Sequence, residues 1–127
     1  MSERRVLTTG NFVPMPTIVC LCGSTRFMNA FFDQGWAETL KGHIVLSVGV
    51  WRQGPPDHGG EWIGEETKQM LDELHKRKID LADEVLILNV GGYIGESTRS
   101  EIEYAARLGK VIRYLEPVGE FIAMNKG

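Results

Sequence analysis

Two unbroken apolar runs constrain this chain more than any other feature. They are "TIVCLCGS" at 17–24 and "EVLILNV" at 84–90, and both give way to glycine. A strand with one wet face alternates apolar and polar residues, whereas a continuous apolar run suits a parallel strand covered on both faces. "HIVLSVGVW" (43–51) and "VIRYLE" (111–116) read as two further strands. Helical spacing fills the intervals. "TRFMNAFFDQGWAETLKG" sets Phe27, Phe31, Phe32, Trp36 and Leu40 at mostly helical steps and stops at Gly42. A long helix is predicted from about Glu61 to about Ala82, and another opens after "GGYIGEST".

Strands alternating with helices predict an α/β chain: a flavodoxin- or Rossmann-like three-layer sandwich around a four- to five-stranded parallel sheet, joined by right-handed crossovers. The 127 residues suffice for one core and not two. Residues 1–16, with Gly10, Pro14, Pro16 and no clear period, read as a loose arm, and 17–127 as a single domain. A net charge of −3 gives no general attraction to polymeric nucleic acid or to an anionic membrane. No apolar run approaches 18 residues and "MSERRVLTTGNFVPMP" lacks a signal-peptide core, so the expected location is cytoplasmic. Cys20 and Cys22 share a strand face, but i,i+2 neighbours make a poor disulfide and two cysteines are too few for structural zinc. They read as buried free thiols, and neither a metal nor a cofactor is expected.

In parallel sheets of this kind ligands bind beyond the carboxyl ends of the strands. Three loops are predicted there: "GSTR" after the first strand, "WRQGPPDHGGEW" after the second and "GGYIGEST" after the third. Gly23 lets the backbone turn and approach a ligand, Ser24 and Thr25 bring hydroxyls to a helix start, and Arg26 brings a charge suited to phosphate. Equally, Ser24 or Thr25 could do no more than cap the helix. Trp51 and Trp62 bracket the second loop, either as packing or as a platform for a flat ring, and His58 lies between them.

Glu101 has two readings. "TRSE" is a Thr-x-x-Glu capping box in which Thr98 and Glu101 satisfy helix-end donors. Helical phase instead puts Glu101 at the border of an inward face formed by Ile102, Ala105 and Ala106, where it could face a pocket, while Glu103 points away to pair with Arg107. In the preceding helix Leu71, His75, Ile79 and Ala82 share a face, with Asp72 one turn before His75. An inward histidine is usually a satisfied core residue, though an Asp–His pair can also relay a proton. Asp80, at i+4 from Lys76, reads as half of an exposed pair, and Asp83 as the residue that turns the chain into the third strand.

Together "CLCGSTRF", "ADEVLILNVGGYIGESTRSEIEYAARLGK" and the strand order resemble the nucleoside 2-deoxyribosyltransferase superfamily over roughly residues 17–116, nearest to the nucleoside 5′-monophosphate N-glycosidases. The resemblance implies that Glu101 attacks C1′ of the sugar and forms a covalent glycosyl-enzyme, which water or a second base then resolves. It assigns the 5′-phosphate to Gly23, Ser24 and Arg26, with Ser97 and Thr98 as further phosphate ligands, while the loop from Trp51 to Trp62 matches no pattern of the family; Thr25, Trp51, Gly92 and Tyr93 stand as further candidate substrate contacts by their place on the three loops. The family's second carboxylate aligns with His75, and Asp72 is the nearest carboxylate on that side. A small-molecule nucleotide or nucleoside is the implied partner, and a homodimer or higher homo-oligomer the implied assembly, with the first helix and the tail "EFIAMNKG" offered as contact surfaces. "GGYIGESTRSE" also has a likeness to the loop of the cytokinin-activating phosphoribohydrolases, with extra residues breaking the spacing. The alternatives are a deoxyribosyltransferase and a non-catalytic nucleotide sensor.

Overall fold

A computed structural model of the chain describes residues 5–8, 11–49 and 64–118. Trp51, Trp62, His58 and the tail "EFIAMNKG" lie outside the described residues. The central sheet consists of β3 (Ile18–Cys22), β4 (Ile44–Leu46), β5 (Glu84–Ile87) and β6 (Val111–Tyr114), all parallel, in the spatial order β4-β3-β5-β6. Helix α1 (Met28–Leu40) connects β3 to β4, α2 (Glu65–Leu81) lies between β4 and β5, and α3 (Glu96–Arg107) connects β5 to β6.

The two-residue period of a strand explains how one apolar run serves both faces. Val19 and Leu21 of β3 pack with Leu86, Leu88 and Phe31, on the side of α1. Ile18, Cys20 and Cys22 pack with Val85, Ile87, Ile79, Ala82 and Ala105, on the side of α2 and α3. Every residue of β3 is buried, as its unbroken apolar sequence predicts. At the amino end of the sheet Asp83 stitches β5 to β3: the Ile18 N–H donates to its Oδ2 at 2.9 Å, and its own N–H donates to the Ile18 carbonyl at 2.8 Å. Lys110 anchors the end of α2 by donating to the Ala82 carbonyl at 2.7 Å.

Sheet order explains where a site can form. The chain steps from β3 outward to β4, then returns across β3 to build β5 and β6 on the other side. The loops leaving β3 and β5 therefore diverge, and the crevice at such a switch point is where open α/β sheets bind ligands. Helix α2 reinforces this. Its 17 residues span about 25 Å, against about 16 Å for a five-residue strand. Its amino half consequently overhangs the carboxyl edge of the sheet. That overhang explains why Leu71 and Leu74, expected on or beside the inward face, are exposed, while His75, Ile79 and Ala82 are buried.

Other expectations also change. The loose arm contains an antiparallel hairpin, β1 (Arg5–Thr8) with β2 (Asn11–Pro14), in register Arg5↔Pro14 to Thr8↔Asn11 and separate from the main sheet. Residues 25–27 form a single 3-10 turn ahead of α1. Along α1 only Phe31, of the apolar residues named above, is buried; Phe32, Trp36 and Leu40 form an i, i+4, i+8 stripe exposed to 61%, 63% and 67%. Asp80 pairs with Arg77 at 2.9 Å and accepts from the Tyr104 hydroxyl, rather than pairing with Lys76. Among the described residues no helix is long and apolar enough to cross a membrane.

Candidate active site

Two glycine loops wall the crevice. A Cβ on Gly23 would lie 3.0 Å from the Leu88 Cβ and 3.2 Å from its carbonyl, so a side chain there would press on the backbone just past the end of β5. Beyond it Ser24 caps the 3-10 turn, its Oγ accepting from the Arg26 N–H at 3.3 Å, while Thr25 and Arg26 are exposed. On the other wall Gly91 and Gly92 take φ of +63° and +83°, a region that residues with a Cβ seldom enter. Glu116 holds this loop: its Oε2 accepts from the Gly91 N–H at 2.9 Å, and its backbone exchanges hydrogen bonds with the buried Asn89 side chain. The walls meet through Tyr93, whose ring lies 4.7 Å under the Arg26 guanidinium and edge-on to Phe27.

The floor comes from Cys22, His75 and Glu101. The capping-box reading of Glu101 fails on position. Helix α3 begins at Glu96 after Gly95, with no side-chain cap, which leaves Glu101 in the second turn. Thr98, Glu101 and Ala105 form its buried stripe, and Ala106, expected inward, is exposed. The stripe faces the sheet, and Glu101 is only 7% exposed. Burial raises its pKa to about 7; His75 and a Cys22 hydrogen bond oppose that rise, and the charges of Cys20 and Asp72 add to it.

His75 reaches the strand from α2. Its Nε2 lies 3.1 Å from the Leu21 carbonyl and 3.5 Å from both the Cys20 and the Cys22 sulfur. A carbonyl only accepts, so Nε2 carries the proton. Burial disfavours the imidazolium, but the Cys20 hydrogen bond and the charges of Cys20 and Glu101 outweigh it, and the net shift is upward. The hydrogen bond between the two thiols lowers Cys20 to about 6, with His75 adding to that against the effect of burial, and pushes Cys22 well up. One thiol is thus disposed to be anionic and the other to keep its proton.

Above the floor Asp72 stands half-exposed at the mouth. Lys68 donates to its Oδ2 at 3.0 Å and to the Ser97 Oγ at 3.1 Å, and the Ser97 hydroxyl reaches the same carboxylate at 3.4 Å. This clasp joins the overhanging turn of α2 to the first turn of α3. Asp72, His75, Glu101 and Ser97 are therefore one constellation, whereas Thr98, expected at the substrate, is buried. Gly23, Ser24, Arg26, Gly92 and Tyr93 form the two walls. Sequence reasoning missed Lys68, and it treated Cys20 and Cys22 as inert. Their shared strand face and the inward phase of His75 were the available signal, but nothing local says that the two faces meet.

Among solved structures the chain matches a 2-deoxyribosyltransferase from the psychrotolerant bacterium Bacillus psychrosaccharolyticus, described as a biocatalyst for nucleoside synthesis, with a TM-score of 0.58. The chain shares that enzyme's fold. The match covers 84% of this chain and 80% of the other at 17% identity, a level at which the likeness concerns architecture alone. No protein-family model and no curated protein matches the sequence.

Proposed function

We propose that the chain cleaves the N-glycosidic bond of a nucleoside 5′-monophosphate, with Glu101 as the nucleophile. The observation that carries this reading is the burial of one carboxylate beside Cys22, where the loops after β3 and β5 diverge. In the first step a Glu101 oxygen bonds to C1′ as the bond from C1′ to the base nitrogen breaks. The bonding electrons leave with the base, which takes up a proton. In the second step water attacks C1′, loses a proton, and releases the sugar 5-phosphate with Glu101 regenerated.

Arg26, Ser24 and Gly23 receive the phosphate, with Thr25 and Ser97 at the rim, and Tyr93 holds Arg26 in place by stacking. Asp72 is the carboxylate left at the mouth, in reach of the sugar or the leaving base. His75, pinned to the Leu21 carbonyl, serves as a positioning residue whose charge favours ionised Glu101. The phosphate-type loop favours a nucleotide substrate and water as acceptor. A second base as acceptor would make the same two steps a deoxyribosyl transfer. The exposed stripe of Phe32, Trp36 and Leu40 is the face assigned to self-association, and a sedimentation shift on Trp36→Glu tests it.

The test is chromatography of free base released from ribo- and deoxyribonucleoside monophosphates and from the matching nucleosides. Release from a monophosphate that disappears in Glu101→Gln supports the proposal. Undiminished release in that variant would remove Glu101 as nucleophile. Binding of a nucleotide without any release would leave the chain a sensor.

A further inference from the structure

The floor holds a donor set that the glycosidase reading does not need. Cys20 Sγ, Cys22 Sγ and a His75 ring nitrogen lie within 4.8 Å of one another, and all three residues are buried. We propose that Cys20, Cys22 and His75 form a binding site for a single thiophilic metal ion of the zinc class. The geometry comes close to what such an ion demands. A tetrahedral centre with metal–sulfur bonds of about 2.3 Å and metal–nitrogen bonds of about 2.0–2.1 Å has sulfur–nitrogen edges of about 3.6 Å. Both sulfurs stand 3.5 Å from Nε2. Two sulfurs and an imidazole select borderline and soft ions over magnesium or calcium, which require oxygen.

Two strand residues and one helix residue converge although His75 is 55 and 53 positions from the cysteines in sequence. Among the described residues the charged groups that act on them are Glu101, which interacts with all three, and Lys78, whose ammonium donates to the Ser47 carbonyl at 2.7 Å. A dication with two thiolates and a neutral imidazole is uncharged overall, so its burial beside Glu101 adds no net charge to the floor. Loading requires rearrangement at His75 and at the thiols. The proton on Nε2 moves to Nδ1, the bond to the Leu21 carbonyl gives way, and the thiol protons pass to solvent. An ion there would lie next to Glu101 and compete with its use as a nucleophile, so base release is measured on the metal-free chain and metal binding separately.

The test titrates the chelator-treated full chain with cobalt(II), which reports thiolate ligation by charge-transfer absorption, followed by displacement with zinc. Binding of one ion per chain with that absorption is expected. Cys20→Ser, Cys22→Ser and His75→Gln should each weaken binding on the order of 100-fold or more, with circular dichroism checking that each variant is folded. The measurement on the unaltered chain stands even where a variant does not fold. A folded wild type that binds cobalt without thiolate absorption, or not at all, overturns the proposal, as does binding undiminished in folded Cys22→Ser. Base release by the metal-free chain is assayed alongside. A chain that releases base and binds no ion refutes this site alone, and one that binds the ion but releases no base refutes only the glycosidase reading.

Discussion

Glu38 and Glu101 are both buried carboxylates, at opposite ends of the sheet and on opposite faces, and their surroundings differ in kind. Glu38, at 1% exposure, lies near the carboxyl end of α1. Its Oε1 is 2.8 Å from both the Arg113 guanidinium and His43 Nδ1, and Lys41 donates to Oε2 at 3.0 Å. Burial works against its charge, yet these donors lower its pKa to about 2. Glu101 meets thiols, an imidazole and a distant carboxylate instead, and it rises to about 7. The comparison separates two uses of a buried acid. At the amino end the charge is fully paired and ties α1 to β6, and through Arg113 to Glu84 at 2.9 Å. At the carboxyl end the acid has only Cys22 and His75 to favour its charge among the described residues, a state that costs stability and suits a group poised near neutral pH to react.

The largest expected effect is on activity. Glu101→Gln should lower base release by roughly 10³-fold or more, as removal of a nucleophile does, while Glu38→Gln leaves the rate of folded protein unchanged. Equal losses in both variants would erase the distinction. Next comes stability: Arg113→Met leaves the buried Glu38 with only His43 and Lys41 as partners and should cost about 3 kcal/mol. That is the low end for a broken buried pair because Arg113 is 32% exposed, and urea denaturation at pH 7 measures it.

The two acids should also produce opposite pH limbs in chelator-treated protein. Glu38 is depressed below its usual 4.5, so its contribution is present above that value and lost as pH falls towards 2, about 3 kcal/mol in all. Glu101 is raised above its usual 4.5, so between that value and about 7 the unfolded chain ionises while the folded chain keeps its proton. Stability therefore falls by about 3 kcal/mol as pH rises through that window. Glu101→Gln should match wild type near pH 4 and exceed it above pH 7. A variant no more stable at pH 8 would mean that the Glu101 site holds its charge comfortably. The smallest effect sharpens the geometry of the site wall: Gly23→Ala, driving a methyl against Leu88, should cost about 1–3 kcal/mol, read as a lowered urea midpoint.

Much of this was legible along the chain. The unbroken run "IVCLC" announces a strand covered on both faces, and the alternation of such runs with helices announces a parallel sheet whose carboxyl end carries the loops. Phase placed His75 inward. It placed Glu101 only at a border, because α3 starts at Glu96 and the Thr-x-x-Glu spacing suggested an N-cap at Thr98, three residues after the actual one at Gly95. The Glu38 network was not legible at all. Its partners come from the loop after α1 and from β6, and no local pattern marks a glutamate in an ordinary helix as buried.

The sequence by itself determined the layers, the parallel direction of the strands and the glycine turns, since periodicity and backbone sterics act over a few residues. Only the tertiary structure decided that Cys20, Cys22, His75 and Glu101 share one buried floor, and that Glu38 is matched by Arg113 while Glu101, among the described residues, has no guanidinium beside it. Those outcomes depend on which helix face meets which strand face, and on how far α2 overhangs the sheet. Contact between groups distant in the chain is set by packing, and the electrostatics of each acid follow from that packing rather than from its neighbours in sequence.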